Sequence, residues 1–315
     1  MAPTTIHAGL ISLALLAATA SATAQAPANP LWQQHKTKNY LPEMTWPEVA
    51  DLLTRTDMVI MPVTAIEEHG RQGPLGTDYL NGVEEAKLIA QRTDVLVAPI
   101  LLPGNSPYHM AFPGTITLKP ETIQEVFFEA TQSLIQYGFR RFIFLNAHAG
   151  NTATTKFIVD RVNQETQGIA VELGEAAAPF LKKVVLPGAM PNAFDRHAGF
   201  QETSVSLYLT PDLVDMRQAK AAPLTLPPHL AAMVPKVVAG DKTAELVFLA
   251  EALKAKQTGK HTSTREMTES GNWTQADVSK ANAEAGRISV ENFTAAAVQF
   301  IETWKKLRPL HPAEK

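Results

Sequence analysis

Apolar and polar positions follow two rhythms along this chain. Short unbroken apolar runs occur at residues 58–63, 95–101 and 142–145, and residues 169–173 make a fourth short strand-like stretch interrupted by Glu172. Runs of that length predict strands buried on both faces. Between them, apolar residues recur with helical spacing over residues 80–92, 119–137 and 152–165, and Gly138 supplies a stop for the second of these. Upstream, Thr45-Trp46-Pro47-Glu48 is a capping box with proline in the first turn, which predicts a helix running to about Arg55. The alternation predicts βαβ units and a mostly parallel sheet covered by helices, an α/β fold. After Pro211 the pattern is mainly helical, with a Pro-rich connection over residues 222–235. Without an internal repeat or a long linker, residues 25–315 read as one domain.

The first 24 residues differ from the rest. They contain no Asp, Glu, Lys or Arg, and the apolar run at 10–18 leads to Ala22-Thr23-Ala24. This predicts an export signal over residues 1–24, cut near Gln25, and a periplasmic or secreted protein. The alternative is an uncut anchor, but the run is short for a membrane span, and no later segment approaches one. No stable membrane insertion is expected once the signal is removed.

Composition narrows the chemistry. Lys and Arg number 28 against 31 Asp and Glu, a net charge of −3. That balance lacks the basic excess of a nucleic-acid binder. The absence of cysteine removes disulfides, thiolate nucleophiles and Cys-based metal sites, so any metal must be held by His, Asp and Glu. No G-x-S-x-G elbow, dinucleotide fingerprint or phosphate loop is present.

Four clusters stand at predicted strand ends. The first strand runs into Glu67-Glu68-His69-Gly70, where Glu67 and His69 share one side of extended chain and Glu68 points away. A Gly/Pro-rich stretch can then fold back to present Asp78. The third strand ends at Asn146-Ala147-His148-Ala149-Gly150-Asn151. In open parallel sheets ligands bind outside the carboxyl ends of strands. Glu67, His69, Asp78 and His148 would make a mixed N/O set suited to Zn²⁺, Mn²⁺ or Fe²⁺, and Asp78 could bridge two ions. The alternative for each histidine is a hydrogen-bonded structural role. In His197-Ala198-Gly199-Phe200-Gln201-Glu202-Thr203-Ser204, a Gly turn enters a helix with Glu202 in its first turn, where a capping role is the alternative. The loop Ser106-Pro107-Tyr108-His109, continuing to Phe112-Pro113-Gly114-Thr115, leaves His109 free to touch a substrate.

Taken in order, these four motifs resemble the creatininase (creatinine amidohydrolase) family: E-x-H-G followed by T-D, the S-x-x-H-x-x-F-P-G-T loop, a variant of N-G-H-G-G-N, and H-A-G-x-x-E-T-S. A weaker echo lies at residues 271–286. The resemblance implies a three-layer α/β/α sandwich and a divalent-metal hydrolase acting on a non-peptide amide C–N bond of a small molecule. It implies metal ligands at Glu67, His69, Asp78 and His148, with Asp78 bridging, and Glu202 as a further ligand or acid/base group. His197 would carry a proton to the leaving nitrogen, and Ser106 and His109 would contact substrate. One or two Zn²⁺, Mn²⁺ or Fe²⁺ ions and a homo-oligomer are expected. The chain departs from creatininase in having Gly150 where that enzyme has Glu, no Trp between the second and third motifs, and Arg71-Gln72 in the first loop. These departures argue against creatinine as substrate. A non-catalytic binding protein and another metal-assisted hydrolase are the competing classes. For a phosphoesterase, an Arg/Lys cluster beside the motifs is missing.

Overall fold

In β1 (Met58–Val63) and β3 (Arg141–Asn146) successive side chains enter opposite cores. Val59, Met61, Val63, Phe142 and Phe144 pack on one side, and Met58, Ile60, Ile143 and Leu145 on the other. Both sides are fully apolar, which is why these strands read as continuous runs. The structure, a computed structural model, describes residues 35–220, 222–252 and 264–310. The export segment expected over residues 1–24 therefore lies outside the described residues. From Thr37 onward the chain forms one compact unit, and the preceding unit, Met1–Lys36, falls almost wholly outside the description.

The element order is α1 (Trp46–Leu52), β1, α2 (Thr77–Thr93), β2 (Leu96–Val97), α3 (Pro120–Tyr137), β3, α4 (Thr152–Glu165), β4 (Ile169–Glu172), α5 (Leu173–Ala177), β5 (Asp195–His197) and α6 (Phe200–Leu209). Short helices α7 (Pro228–Ala231), α8 (Val234–Val238), α9 (Lys242–Ala252) and α10 (Thr264–Met267) follow. Strand β6 (Trp273–Thr274) and the long α11 (Ala283–Leu307) complete the described chain. The central sheet is fully parallel, in the order β2-β1-β3-β4. Helices α1, α3 and α4 cover one face, and α2, α5 and α11 the other. This is the expected α/β/α sandwich. A separate antiparallel pair joins β5 to β6. Among the described residues no helix is long and apolar enough to cross a membrane.

Three boundaries differ from the sequence reading, each for a local reason. Strand β2 ends at Val97 rather than residue 101. Ile60 accepts from Ala98 N on the β2 side, so the next ladder position on that side of β1 is Pro62, which has no N–H, and Pro99 follows Ala98. Helix α1 stops at Leu52, where Thr54 Oγ1 takes the Asp51 carbonyl. Its capping box is formed as expected, with Thr45 and Glu48 engaged reciprocally. Helix α2 starts at Thr77, three residues before the periodic pattern, because Gly76 and Pro74 close the first turn with polar residues. That shift puts Asp78 in the first turn of a helix, a favourable place for a carboxylate.

Candidate metal centre and catalytic cavity

Past β1 the chain doubles back. Glu67 N donates to Leu75 O (2.9 Å) and Gly73 N to His69 O (3.1 Å), so the Gly/Pro loop closes on itself and delivers Asp78 beside Glu67 and His69. Gly70 takes φ +67°, in the left-handed region, and a Cβ there would collide with Gln72 and Asn272. His148 arrives from the end of β3. His197 ends β5, and Ala198, at φ +50°, turns the chain into α6. Four separate segments thus converge at the carboxyl ends of β1 and β3.

The Asp78 carboxylate spans two imidazoles. Its Oδ1 is 3.2 Å from His69 Nε2, and its Oδ2 is 3.1 Å from His148 Nδ1. Glu67 Oε1 stands 3.3 Å from His148 Nδ1. On the other side Glu202 Oε1 lies 3.4 Å from His69 Nε2, while its Oε2 accepts from Ala198 N at 2.6 Å. Glu202 therefore holds the backbone just before α6 with one oxygen and faces the cluster with the other. Glu67, His69 and Asp78 can converge on one ion, as can His69, His197 and Glu202, or Glu67, His109 and His197.

The residues present fit a divalent cation. A backbone carbonyl only accepts, so a ring nitrogen bonded to one carries the proton. His69 Nδ1 donates to Glu67 O (3.1 Å), His148 Nε2 to Asn105 O (3.2 Å) and His197 Nε2 to Glu68 O (2.7 Å). In each ring the opposite nitrogen is left facing the carboxylates, the arrangement by which outer-shell groups orient metal-binding histidines. Glu67 Oε2 and Asp78 Oδ2 are buried without a hydrogen bond of their own. Burial raises the Glu67 carboxyl, but His148 and His109 outweigh it and hold it at about 2. Burial likewise opposes charge on His69 and His148, and the facing carboxylates override it, raising both well above the ordinary range.

Sequence reasoning missed Glu68. Instead of pointing away, its buried carboxylate accepts from Gly70 N (2.9 Å), and Oε1 lies 3.2 Å from His197 Nε2 and 3.0 Å from His109 Nδ1. The His109 contact is an ion-pair distance without hydrogen-bond alignment. Burial would lower His197, but the Glu68 charge prevails and brings it to about 9. Glu67 and His69 do share one site, as the i, i+2 argument expected; what it missed is that Glu68, on the far side of His197, is buried against His197 and His109.

A cavity of about 680 Å³ opens over the cluster. His109 lines it, as expected for a substrate contact. Ser106 does not: its side chain is fully buried with Oγ 3.2 Å from His148 Nε2, so its expected substrate contact is corrected to a contact behind His148. The walls include Tyr108, Leu249, Met267 and Trp273. Trp273, in the weak echo at 271–286, also lines the cavity and is brought there by β6 pairing with β5. Tyr108 also explains Gly150, since a Cβ there would sit 2.1 Å from the tyrosine hydroxyl.

Comparison with known proteins finds similar sequences and a similar fold. The family model for creatininase, described as creatinine amidohydrolase, matches residues 42–301. A creatinine amidohydrolase from Pseudomonas putida is 30% identical over 60% of this chain and 79% of its own. A mycofactocin precursor peptide peptidase from Mycobacterium ulcerans is 28% identical over 66% of this chain and 79% of its own. A solved manganese form of creatininase superposes with a TM-score of 0.60 at 21% identity, covering 87% of this chain and all of that one.

Proposed function

The chain belongs to the creatininase family, and from that premise we propose a divalent-metal-dependent amidohydrolase that uses water to cleave a non-peptide amide C–N bond in a small molecule. One observation carries the reading: the Asp78 carboxylate placed between His69 and His148, with Glu202 and Glu67 closing the two ends. Those residues would hold one or two Zn²⁺, Mn²⁺ or Fe²⁺ ions, Glu202 supplying on the His69 side the carboxylate that Gly150 lacks. A divalent cation supplies Lewis acidity there, acidifying water and polarising a carbonyl.

The chain's own groups do the rest. His197 keeps Nε2 tied to Glu68 and turns Nδ1 toward the cluster, 3.6 Å from Glu67 Oε1. From that place it can pass a proton to the leaving nitrogen. Glu68 fixes the ring and favours its protonated form. Tyr108, Leu249, Met267 and Trp273 give walls that suit an amide with an apolar body larger than creatinine. A binding protein has no use for such a proton carrier, which favours catalysis over the non-catalytic reading. We also carry forward export through residues 1–24 and homo-oligomer formation as parts of this proposal, with a small-molecule amide and no nucleic acid as partner.

The test joins elemental analysis to a substrate panel. Purified protein is expected to carry about one or two divalent ions per chain. A screen of cyclic amides, linear amides and formamides should find turnover that chelation abolishes and the metal restores. Protein that holds no metal and turns over no amide after loading overturns the proposal.

A further inference from the structure

Two cavities meet at the cluster. The second, of about 260 Å³, opens between α2, β5 and α6. Asp78, Ala147, Arg196, His197 and Glu202 line both, so His197 stands where they join. Beyond the cluster the two differ in charge. The larger cavity adds Lys156 to the shared Arg196, whereas the smaller one adds Glu85 and Asp195.

The smaller cavity is rich in acceptors along α2. Asp78, Asn81 and Glu85 fall at i, i+3 and i+7, one face of the helix. Asn81 is 9% exposed; its Nδ2 donates to Ser206 Oγ at 2.9 Å, and its Oδ1 has no hydrogen-bond partner. Glu85 has no ion-pair partner among the described residues, and burial raises its carboxyl to about 7. The other charges are committed: Asp195 Oδ2 accepts from Gln201 N (3.1 Å), and Arg196 donates to Glu245 at 2.6 Å. The unpaired acceptor oxygens of Asn81 and Glu85 call for a ligand with several N–H donors and a positive charge.

We infer that the second cavity is an amine subsite, which takes the nitrogen-bearing half of the substrate and holds it after cleavage as a primary ammonium against Glu85 and Asn81. The acyl half then occupies the larger cavity and leaves as a carboxylate on the side of Lys156, which is half exposed and pairs with Glu175. This rests on the amide-hydrolase reading. The step balances as an amide plus water giving a carboxylate and an ammonium: the C–N bond breaks, the water oxygen bonds the acyl carbon, and the protons end on nitrogen, one by way of His197.

Calorimetric titration of the metal-loaded protein with propylammonium and with propionate tests the inference without requiring turnover. Propylammonium should bind the wild type, bind about tenfold more weakly to Glu85→Gln, and bind more tightly to Asn81→Asp. Lys156→Ala should weaken propionate and leave propylammonium unchanged. Metal content, measured in parallel, should be equal in all four proteins. Wild-type protein that does not bind propylammonium, or equal affinity in wild type and Glu85→Gln, overturns the inference. Should Glu85→Gln not fold, the opposite sign expected of Asn81→Asp still decides. Ammonium binding that depends on Glu85 in a protein without amide turnover would sink the amidohydrolase reading and not the cationic subsite.

Discussion

The floor of the catalytic cavity and its wall come from different parts of the chain and follow different rules. The floor is Glu67, His69, Asp78, His148, His197 and Glu202, carried on short motifs at strand ends and at the first turns of α2 and α6. The wall draws Leu249 from α9, Met267 from α10 and Trp273 from β6. Floor residues are fixed by charge and hydrogen bonding, each imidazole tied through one nitrogen. Wall residues are fixed by packing: Trp273 lies against Phe248 at 5.7 Å between ring centroids and meets Phe194 edge-on at 5.4 Å. The difference teaches that metal capture and substrate shape are separable, so each can be altered without the other.

The strongest break of that comparison is His148→Ala. It should weaken metal binding by more than the roughly 10–100-fold typical of losing an outer-shell partner, read by metal analysis after dialysis. Full metal content in this variant would remove His148 from the floor. Next, His197→Ala should keep its metal and lose turnover by about 10²–10⁴-fold, the usual contribution of a positioned proton donor. Full activity in this variant would end the proton-carrier assignment.

A smaller effect concerns protons. The facing carboxylates raise His69 and His148 above their ordinary range, so protons compete with a cation for these rings. A metal ligand must be deprotonated, so binding a cation there releases whatever proton the ring holds. Zn²⁺ uptake should therefore release protons into weak buffer and weaken as pH falls from about 8 to 6. Uptake independent of pH would contradict the pairing. Stability of the metal-free protein runs the other way. His197, raised to about 9, contributes stability that is full below its unfolded value of 6.5 and is lost as pH rises through 9. Thermal melts against pH check that sign. The smallest effect is expected at the wall: Trp273→Phe should raise KM by about tenfold with kcat and metal content unchanged. A fall in metal content would show that wall and floor are not independent.

Much of this was legible in the sequence because the informative residues are close together. Buried parallel strands show as continuous apolar runs, and β1 coincides with its predicted span, as does α4. E-x-H-G, T-D and the H-A-G motif carry their chemistry within a few residues of a strand or helix end. Short-range logic failed where partners are distant. Glu68 drew no role because its partners, His109 and His197, lie 41 and 129 positions away. Ser106 belongs behind His148 because it meets a residue 42 positions away. Trp273 reaches the cavity only through the β5–β6 pair, across 76 residues from His197.

The sequence by itself determined a mostly parallel sheet covered by helices, the donor types and the strand ends that bear them, since periodicity and turn residues act over a few positions and composition leaves only His, Asp and Glu as donors. Tertiary structure alone decided how the donors divide. Asp78 meets both His69 and His148, one with each oxygen, because the segments after β1 and β3 converge on the first turn of α2. Glu202 serves both the backbone just before α6 and the cluster because α6 ends its approach against the loop after β1. Tyr108 occupies the space above Gly150 because the loop after β2 folds over the end of β3. Such pairings depend on distances between segments far apart in the chain, which no local pattern encodes.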